Sequence, residues 1–267
     1  MLYGAMNFPV KPTLSELAKI AHMGFDYLEL AMDPPEAHYS RVLQLKKPLS
    51  DALKCHDLKL VCHMPTFVYT ADLAEDIRAA SLKEMLGSLE TAADLGAVKV
   101  VLHPSIISGM GAFVLEISKQ NAMESLGVIH DRAAELGIPL CLENMFPRYN
   151  SFFDAEDFKK VFQRFPGLKM TLDTGHANIG DSEGNRVYQL IELFKDRIAH
   201  IHLSDNAGKR DDHLPVGKGS IDFVRLAKIL KEIRYNDTVT LEIFSEDPND
   251  LIESRKAFDL IWKRKQE

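Results

Sequence analysis

The amino-acid sequence predicts a single (β/α)8 TIM barrel of the α/β class spanning residues 1–267. Three observations predict it. Eight short apolar runs of β type recur a few tens of residues apart, each is followed by a stretch with helical periodicity, and together they fit the ~250 residues that such a barrel needs. An open doubly wound sheet usually has fewer strands and a glycine-rich first turn, and neither GxGxxG nor GxxxxGK(S/T) occurs anywhere.

In chain order, strands are expected at Leu2 to Phe8, Asp26 to Met32, Lys59 to Pro65, Lys99 to Pro104, Pro139 to Met145, Lys169 to Thr174, Ile198 to Ser204 and Thr238 to Phe244. The helices between them carry end signals. Thr13 with Glu16 spells a capping box, Asp154 and Asp222 precede apolar periodic stretches, and Gly24, Gly96 and Gly137 stand where helices should stop. Ala71 to Leu95 is expected to be the longest helix, with Ile77, Leu82, Met85, Leu86, Leu89 and Ala93 forming its buried stripe. Trp262 and the apolar positions of the last helix are expected to cover the barrel wall or to meet a second subunit. No linker, charge block or composition break divides the chain, so one domain is expected.

Composition narrows the functional classes. A chain 46% hydrophobic and 27% charged is neither disordered nor fibrous. A net charge of −7 offers no general attraction for phosphate backbones or anionic lipid, so a polyanion would have to be held by a local patch or by metal ions. Cys55, Cys62 and Cys141 form an odd set without CxxC spacing and read as reduced core residues. The first residues lack a signal-peptide pattern and no run approaches the ~18 apolar residues of a membrane span, so a cytoplasmic protein with no membrane partner is expected.

Ionisable residues gather at the C-terminal ends of the expected strands, which in a barrel converge on one mouth. They are His63 in Val-Cys-His-Met-Pro, His103 in Val-Leu-His-Pro-Ser, Glu143 in Cys-Leu-Glu-Asn-Met, Asp173 and His176 in Leu-Asp-Thr-Gly-His, His202 in Ile-His-Leu-Ser-Asp, and Glu242 in Leu-Glu-Ile-Phe. The loop after the seventh strand adds Asp211 and His213. Singly, each could be a hydrogen-bonded residue at a layer boundary. Together they would crowd unneutralised acids and imidazoles around one opening, where repulsion and desolvation both cost free energy, and a bound cation relieves both. Imidazole nitrogen with carboxylate oxygen suits Zn or Mn better than Mg or Ca, and nine candidates exceed the four ligands of one tetrahedral ion, so either several ions are expected or some of the nine bind substrate instead.

Other polar residues read differently. His200 lies two residues before His202, on the same side of its strand and one layer deeper, where a satisfied core histidine is expected. His22, His38, His56 and His130 fall in helical or loop positions away from the mouth. Gly217, Lys218 and Gly219 form either a loop whose backbone approaches a ligand closely or a flexible turn before the Asp222 cap. Lys218, Lys209 and Arg210 would be available there to a phosphate or polar group, and Arg148 with Tyr149 after strand five carries the same two readings.

The ordered strand-end motifs resemble those of the xylose-isomerase-like barrel superfamily, which includes endonuclease IV and the sugar phosphate isomerases and epimerases. The resemblance runs from His63 to Glu242 by motif and across nearly the whole chain by βα pattern. Against endonuclease IV it implies a three-ion site at His63, His103, Glu143, Asp173, His176, His202, Asp211, His213 and Glu242, and all nine residue types are present. Against the isomerases it implies one ion at Glu143, Asp173, His202 and Glu242, with His176 touching substrate. The segments Met-Asp-Pro-Pro-Glu-Ala-His-Tyr-Ser and Met-Pro-Thr-Phe-Val-Tyr-Thr do not resemble the Arg- and Gln-bearing loops with which the repair enzymes open a duplex.

Two reactions follow from the resemblance. In the preferred one, a metal-dependent isomerase or epimerase acts on a small sugar or sugar phosphate through a metal-stabilised enediolate. Glu143 and Glu242 move the proton, His176 orients a hydroxyl, and Lys218, Arg210 and Arg148 bind substrate. In the alternative, two or three ions serve phosphoester hydrolysis, the only version in which nucleic acid would be a partner.

Overall fold

The computed structural model describes residues 1–152, 154–245 and 247–264. Eight parallel strands close into a barrel in sequential order: β1 Leu2–Met6, β2 Tyr27–Ala31, β3 Lys59–His63, β4 Val100–Leu102, β5 Leu140–Glu143, β6 Lys169–Asp173, β7 Ile198–Leu203 and β8 Thr238–Leu241. Each expected strand is present, shortened mainly at its C-terminal end. Pro65 and Pro104 have no N–H to continue a ladder, and the chain there bends into the loops of the mouth.

The outer ring comprises α1 Thr13–His22, α2 Tyr39–Gln44, α3 Lys46–Cys55, α4 Glu75–Asp94, α5 Leu115–Leu136, α6 Ala155–Arg164, α7 Thr174–Asn178, α8 Arg186–Phe194, α9 Phe223–Glu232 and α10 Asn249–Lys263. The Asp154 and Asp222 caps form as expected, accepting from Asp157 N and from Val224 N and Arg225 N. Gly24, Gly96 and Gly137 follow α1, α4 and α5 with positive φ.

The Thr13–Glu16 capping box does not form. Pro12 occupies the N-cap, Thr13 Oγ1 donates to Glu36 O, and the Glu16 carboxylate accepts from Phe8 N instead. Nor is the Ala71–Leu95 stretch the longest helix. Its first residues are wound into a turn by Asp72, whose Oδ1 accepts from Ala74 N, so α4 begins at Glu75 and its 20 residues fall short of the 22 in α5. Its buried face includes the small residues Ser81, Ser88 and Ala92 beside Met85 and Leu89, while Ile77 is exposed.

The main core lies between barrel and helices, where Leu17, Leu49, Leu89, Phe158 and Phe258 are fully buried. Each such side chain contributes roughly 1.5–3 kcal/mol of transfer free energy. Trp262 packs on that core beside Phe258, so α10 covers the barrel wall. Cys62 and Cys141 are buried as expected, but Cys55 ends α3 exposed to solvent. A smaller cluster of Tyr27, Val61 and Val101 fills the barrel interior, and Gly4 permits it, since a Cβ there would sit 2.1 Å from the Tyr27 ring. Among the described residues no helix is long and apolar enough to cross a membrane.

Candidate metal centre

The strand ends deliver their ionisable side chains to one place because local hydrogen bonds leave one face of each group free. At the end of β6, Asp173 Oδ1 accepts from His176 N at 2.6 Å and starts α7, which turns His176 back over the barrel. Its Oδ2 keeps no partner. Asn144, directly after Glu143, ties β5 to β6: its Nδ2 donates to Asp173 O at 2.9 Å and its Oδ1 accepts from Asp173 N at 2.8 Å. Sequence reading did not single out Asn144, although its place between two acidic strand ends was visible.

His63 Nδ1 lies 2.8 Å from Met64 O, so this nitrogen carries the proton and Nε2 turns inward. There it meets His103 Nε2 at 3.2 Å, and Glu143 Oε2 is 3.5 Å and 3.3 Å from the two imidazoles. His202 Nδ1 lies 3.0 Å from Glu242 Oε2, 3.3 Å from Glu143 Oε2 and 3.7 Å from Asp173 Oδ2. His176 Nδ1 is 3.0 Å from Glu143 Oε1, and its Nε2 reaches Asp211 Oδ2 at 3.2 Å. His213 Nε2 joins the same Asp211 oxygen at 3.1 Å and its Nδ1 donates to Glu242 O. All nine residues singled out from the sequence therefore fall in one continuous cluster.

Two subsets have donor atoms all within 4.8 Å of one another: Glu143, Asp173, His202 and Glu242, and separately His63, His103 and Glu143. Both Glu143 oxygens, Asp173 Oδ2, His202 Nδ1 and Glu242 Oε2 are buried without a hydrogen-bond partner. Leaving so many polar atoms unsatisfied costs about 1–3 kcal/mol each unless something binds them, so the first subset fits a divalent cation with nitrogen and oxygen donors.

The electrostatics agree. Burial by itself would raise the Glu143 carboxyl, yet the imidazoles of His202 and His103 hold it well below the usual range. Burial pushes Asp173 up to about 6, with the charges of Glu143 and Glu242 adding to the shift. Burial opposes charge on His176 and His202, but the surrounding carboxylates win and raise both far above an ordinary imidazole. A pocket that draws protons onto buried histidines in this way is a pocket of negative potential, suited to a cation.

Glu29, in the middle of β2, is fully buried and was missed from the sequence. It lies 3.0 Å from both His202 Nε2 and His200 Nε2. His200 is the satisfied core histidine expected, also bonded to Thr238 Oγ1 at 2.7 Å.

Above the cluster opens a cavity of about 860 Å³. Phe8, Phe67, Phe146, Tyr149 and Phe244 give it aromatic walls, and Asp33, Glu84, Asp211 and Glu242 contribute carboxylates. None of the described residues lining it is a lysine or an arginine. Lys218, Arg210 and Arg148 are exposed and do not line it, and Arg210 pairs with Asp212. His38, expected away from the mouth, lines the cavity and pairs with Glu84 at 2.7 Å. Arg148 points away while the adjacent Tyr149 faces in, a distinction that irregular loops do not encode by spacing.

The Gly217–Gly219 loop does make a close approach, but to the chain itself. Asp205 Oδ2 accepts from Gly217 N and Gly219 N, and its Oδ1 from Asn206 N and Ile221 N. A Cβ on residue 219 would lie 2.3 Å from Asn206 O. Asp205 also pairs through its backbone with Leu214, which sets the Asp211–His213 arm over the mouth.

Comparison with known proteins agrees with this architecture. Residues 17–261 match the family described as xylose isomerase-like TIM barrel. The uncharacterized protein MJ1614 of Methanocaldococcus jannaschii is 31% identical, covering 89% of this chain and 90% of that protein. A protein named probable endonuclease 4 of Aquifex aeolicus is 22% identical over 93% of this chain and 92% of its own. Among solved structures, a D-tagatose 3-epimerase-like protein superposes with a TM-score of 0.85 at 26% identity, covering 98% of this chain and 97% of the other. The chain belongs to the xylose isomerase-like TIM barrel family.

Proposed function

We propose that this family member is a divalent-metal-dependent epimerase or isomerase of an unphosphorylated sugar. The observation that carries the proposal is the approach of two carboxylates from different strands, Glu143 on β5 and Glu242 after β8, to the same His202 nitrogen with their oxygens unpartnered. Moving a proton off and back onto one carbon needs two such groups within reach of it. Glu143, Asp173, His202 and Glu242 would hold the ion, Zn or Mn by donor type, which when bound polarises a substrate carbonyl and acidifies the adjacent C–H. Glu143 and Glu242 take and return the proton. His176, tethered to Asp211, orients a substrate hydroxyl, and the aromatic walls face the C–H surfaces of the sugar.

A lining without lysine or arginine among the described residues favours an uncharged sugar over a sugar phosphate. A phosphate dianion would meet Asp33, Glu84, Asp211 and Glu242 and no lysine or arginine among the described lining residues. The similarity to a D-tagatose 3-epimerase-like protein supports the same reading.

A second reading, phosphoester hydrolysis with additional ions, is favoured by one observation, the trio His63, His103 and Glu143 beside the first subset. The experiment that separates the two incubates metal-loaded protein with a panel of ketohexoses in D2O and, in parallel, with bis(p-nitrophenyl) phosphate. The expected result is an epimer carrying one new C–D bond and no ester cleavage; cleavage without exchange into any sugar assigns the hydrolase.

A further inference from the structure

Glu29 has no part in the proton transfer just described, yet it sits directly beneath the ion site. Its Oε1 is 3.0 Å from His202 Nε2 and its Oε2 is 3.0 Å from His200 Nε2, while Thr240 Oγ1 donates to Oε2. These four residues are wholly buried. Its two oxygens face an imidazole nitrogen each, and Oε2 also accepts from the Thr240 hydroxyl, an arrangement that a carboxylate satisfies by accepting from all three. Both histidines must then present an N–H at Nε2.

The donors and acceptors run consistently through the barrel. Lys99 Nζ donates to Thr238 Oγ1 at 3.1 Å and to Asp237 Oδ1 at 2.7 Å, and Asp237 is partly exposed at the N-terminal end of the strands. Thr238 Oγ1 lies 2.7 Å from His200 Nδ1, closer than the 3.4 Å to Ala199 O, so with the proton of His200 on Nε2 the hydroxyl can donate to Nδ1 while Nε2–H donates to Glu29. Both ring nitrogens of His200 and both oxygens of Glu29 thereby have a partner. The opposite outcome holds at His202, whose Nδ1 has no partner and faces oxygens of Glu143, Asp173 and Glu242.

We propose that Glu29 is a positioning residue for His202: by accepting from Nε2–H it fixes the imidazole tautomer and ring orientation so that the Nδ1 lone pair is offered to the divalent ion. The inference rests on the reading that Glu143, Asp173, His202 and Glu242 hold that ion. A ligating histidine generally donates its second N–H to a carboxylate or carbonyl, and losing that partner weakens metal affinity about 10–100-fold. Here Glu29 has no alternative duty at the mouth, because the cavity above does not reach it.

The test titrates chelator-stripped wild-type and Glu29→Gln proteins with Zn2+ against a competing chelator, with circular dichroism and thermal unfolding of the stripped forms as a folding control. The expected result is a Kd for Zn2+ raised 10–100-fold in the variant while the stripped protein keeps its secondary structure. Equal affinity in the two proteins overturns the role of Glu29 alone, whereas a wild type that takes up no Zn2+ overturns the ion site on which it rests. Long-range 1H–15N spectra of the Zn2+-loaded wild type give an answer that does not require the variant to fold. His202 is expected with Nδ1 ligated and Nε2 protonated, and ligation through Nε2 overturns the inference.

Discussion

His63 and His103 face each other Nε2 to Nε2 at 3.2 Å, with a Glu143 oxygen within 3.5 Å of both. Two imidazole lone pairs cannot be held this close unless a proton or a cation lies between them. His63 spends its Nδ1–H on Met64 O, and His103 Nδ1 is buried without a partner. If the site works with one catalytic ion, the pair binds substrate. His103→Ala should then keep one tightly held metal per chain by elemental analysis and raise KM about tenfold. Loss of a metal together with the imidazole would favour the hydrolase reading.

Removing either proton-transfer group should be far more severe. Glu143→Gln and Glu242→Gln keep size and shape but cannot accept the proton, and turnover should fall by about 10²–10⁴. Solvent deuterium exchange into recovered substrate should fall in parallel, and a variant that exchanges normally would remove that carboxylate from the proton transfer.

The pH response of the stripped protein follows from the arm over the mouth. Burial opposes charge on His213, but Glu242 and Asp211 raise it to about 9 against 6.5 for an ordinary histidine. A group whose folded value is raised stabilises fully below its unfolded value, so this contribution is present below 6.5 and is lost as pH rises through about 9. Asp211 is depressed despite burial, chiefly by His176 and His213, so its contribution is present above 3.8 and lost as pH falls through its lowered value. Thermal unfolding in excess chelator should therefore weaken from pH 6.5 to 9, and His213→Asn should flatten that slope.

Gly4→Ala tests the barrel interior. The added methyl would meet the Tyr27 ring at 2.1 Å, and Tyr27 is itself bonded to Thr240 Oγ1 at 2.7 Å. Overpacking of this kind costs about 1–3 kcal/mol or more, read as a lowered Tm in differential scanning calorimetry. An unchanged Tm would mean that the ring has room to move.

Much of this was legible in the sequence because parallel strands buried on both faces read as unbroken apolar runs, and a His, Asp or Glu terminating such a run stands out. Glu29 was hidden by the same logic. It lies inside Tyr-Leu-Glu-Leu-Ala rather than at its end, and only the need of His202 and His200 for an acceptor would have exposed it. Thr13 and Glu16 matched a capping pattern, but Pro12 took the cap and Phe8 N claimed the carboxylate, a contact set by tertiary structure. The basic residues of the loops misled for a related reason: Lys218, Arg210 and Arg148 lie near the mouth in sequence, but an irregular backbone carries no period from which to read side-chain direction.

The single carboxylate of Asp205 fastens the root of the Asp211–His213 arm by four backbone amides. An arm anchored so firmly behaves as a fixed jamb and not as a door. Val10 and Phe67, which line the same chamber, stand open to water instead.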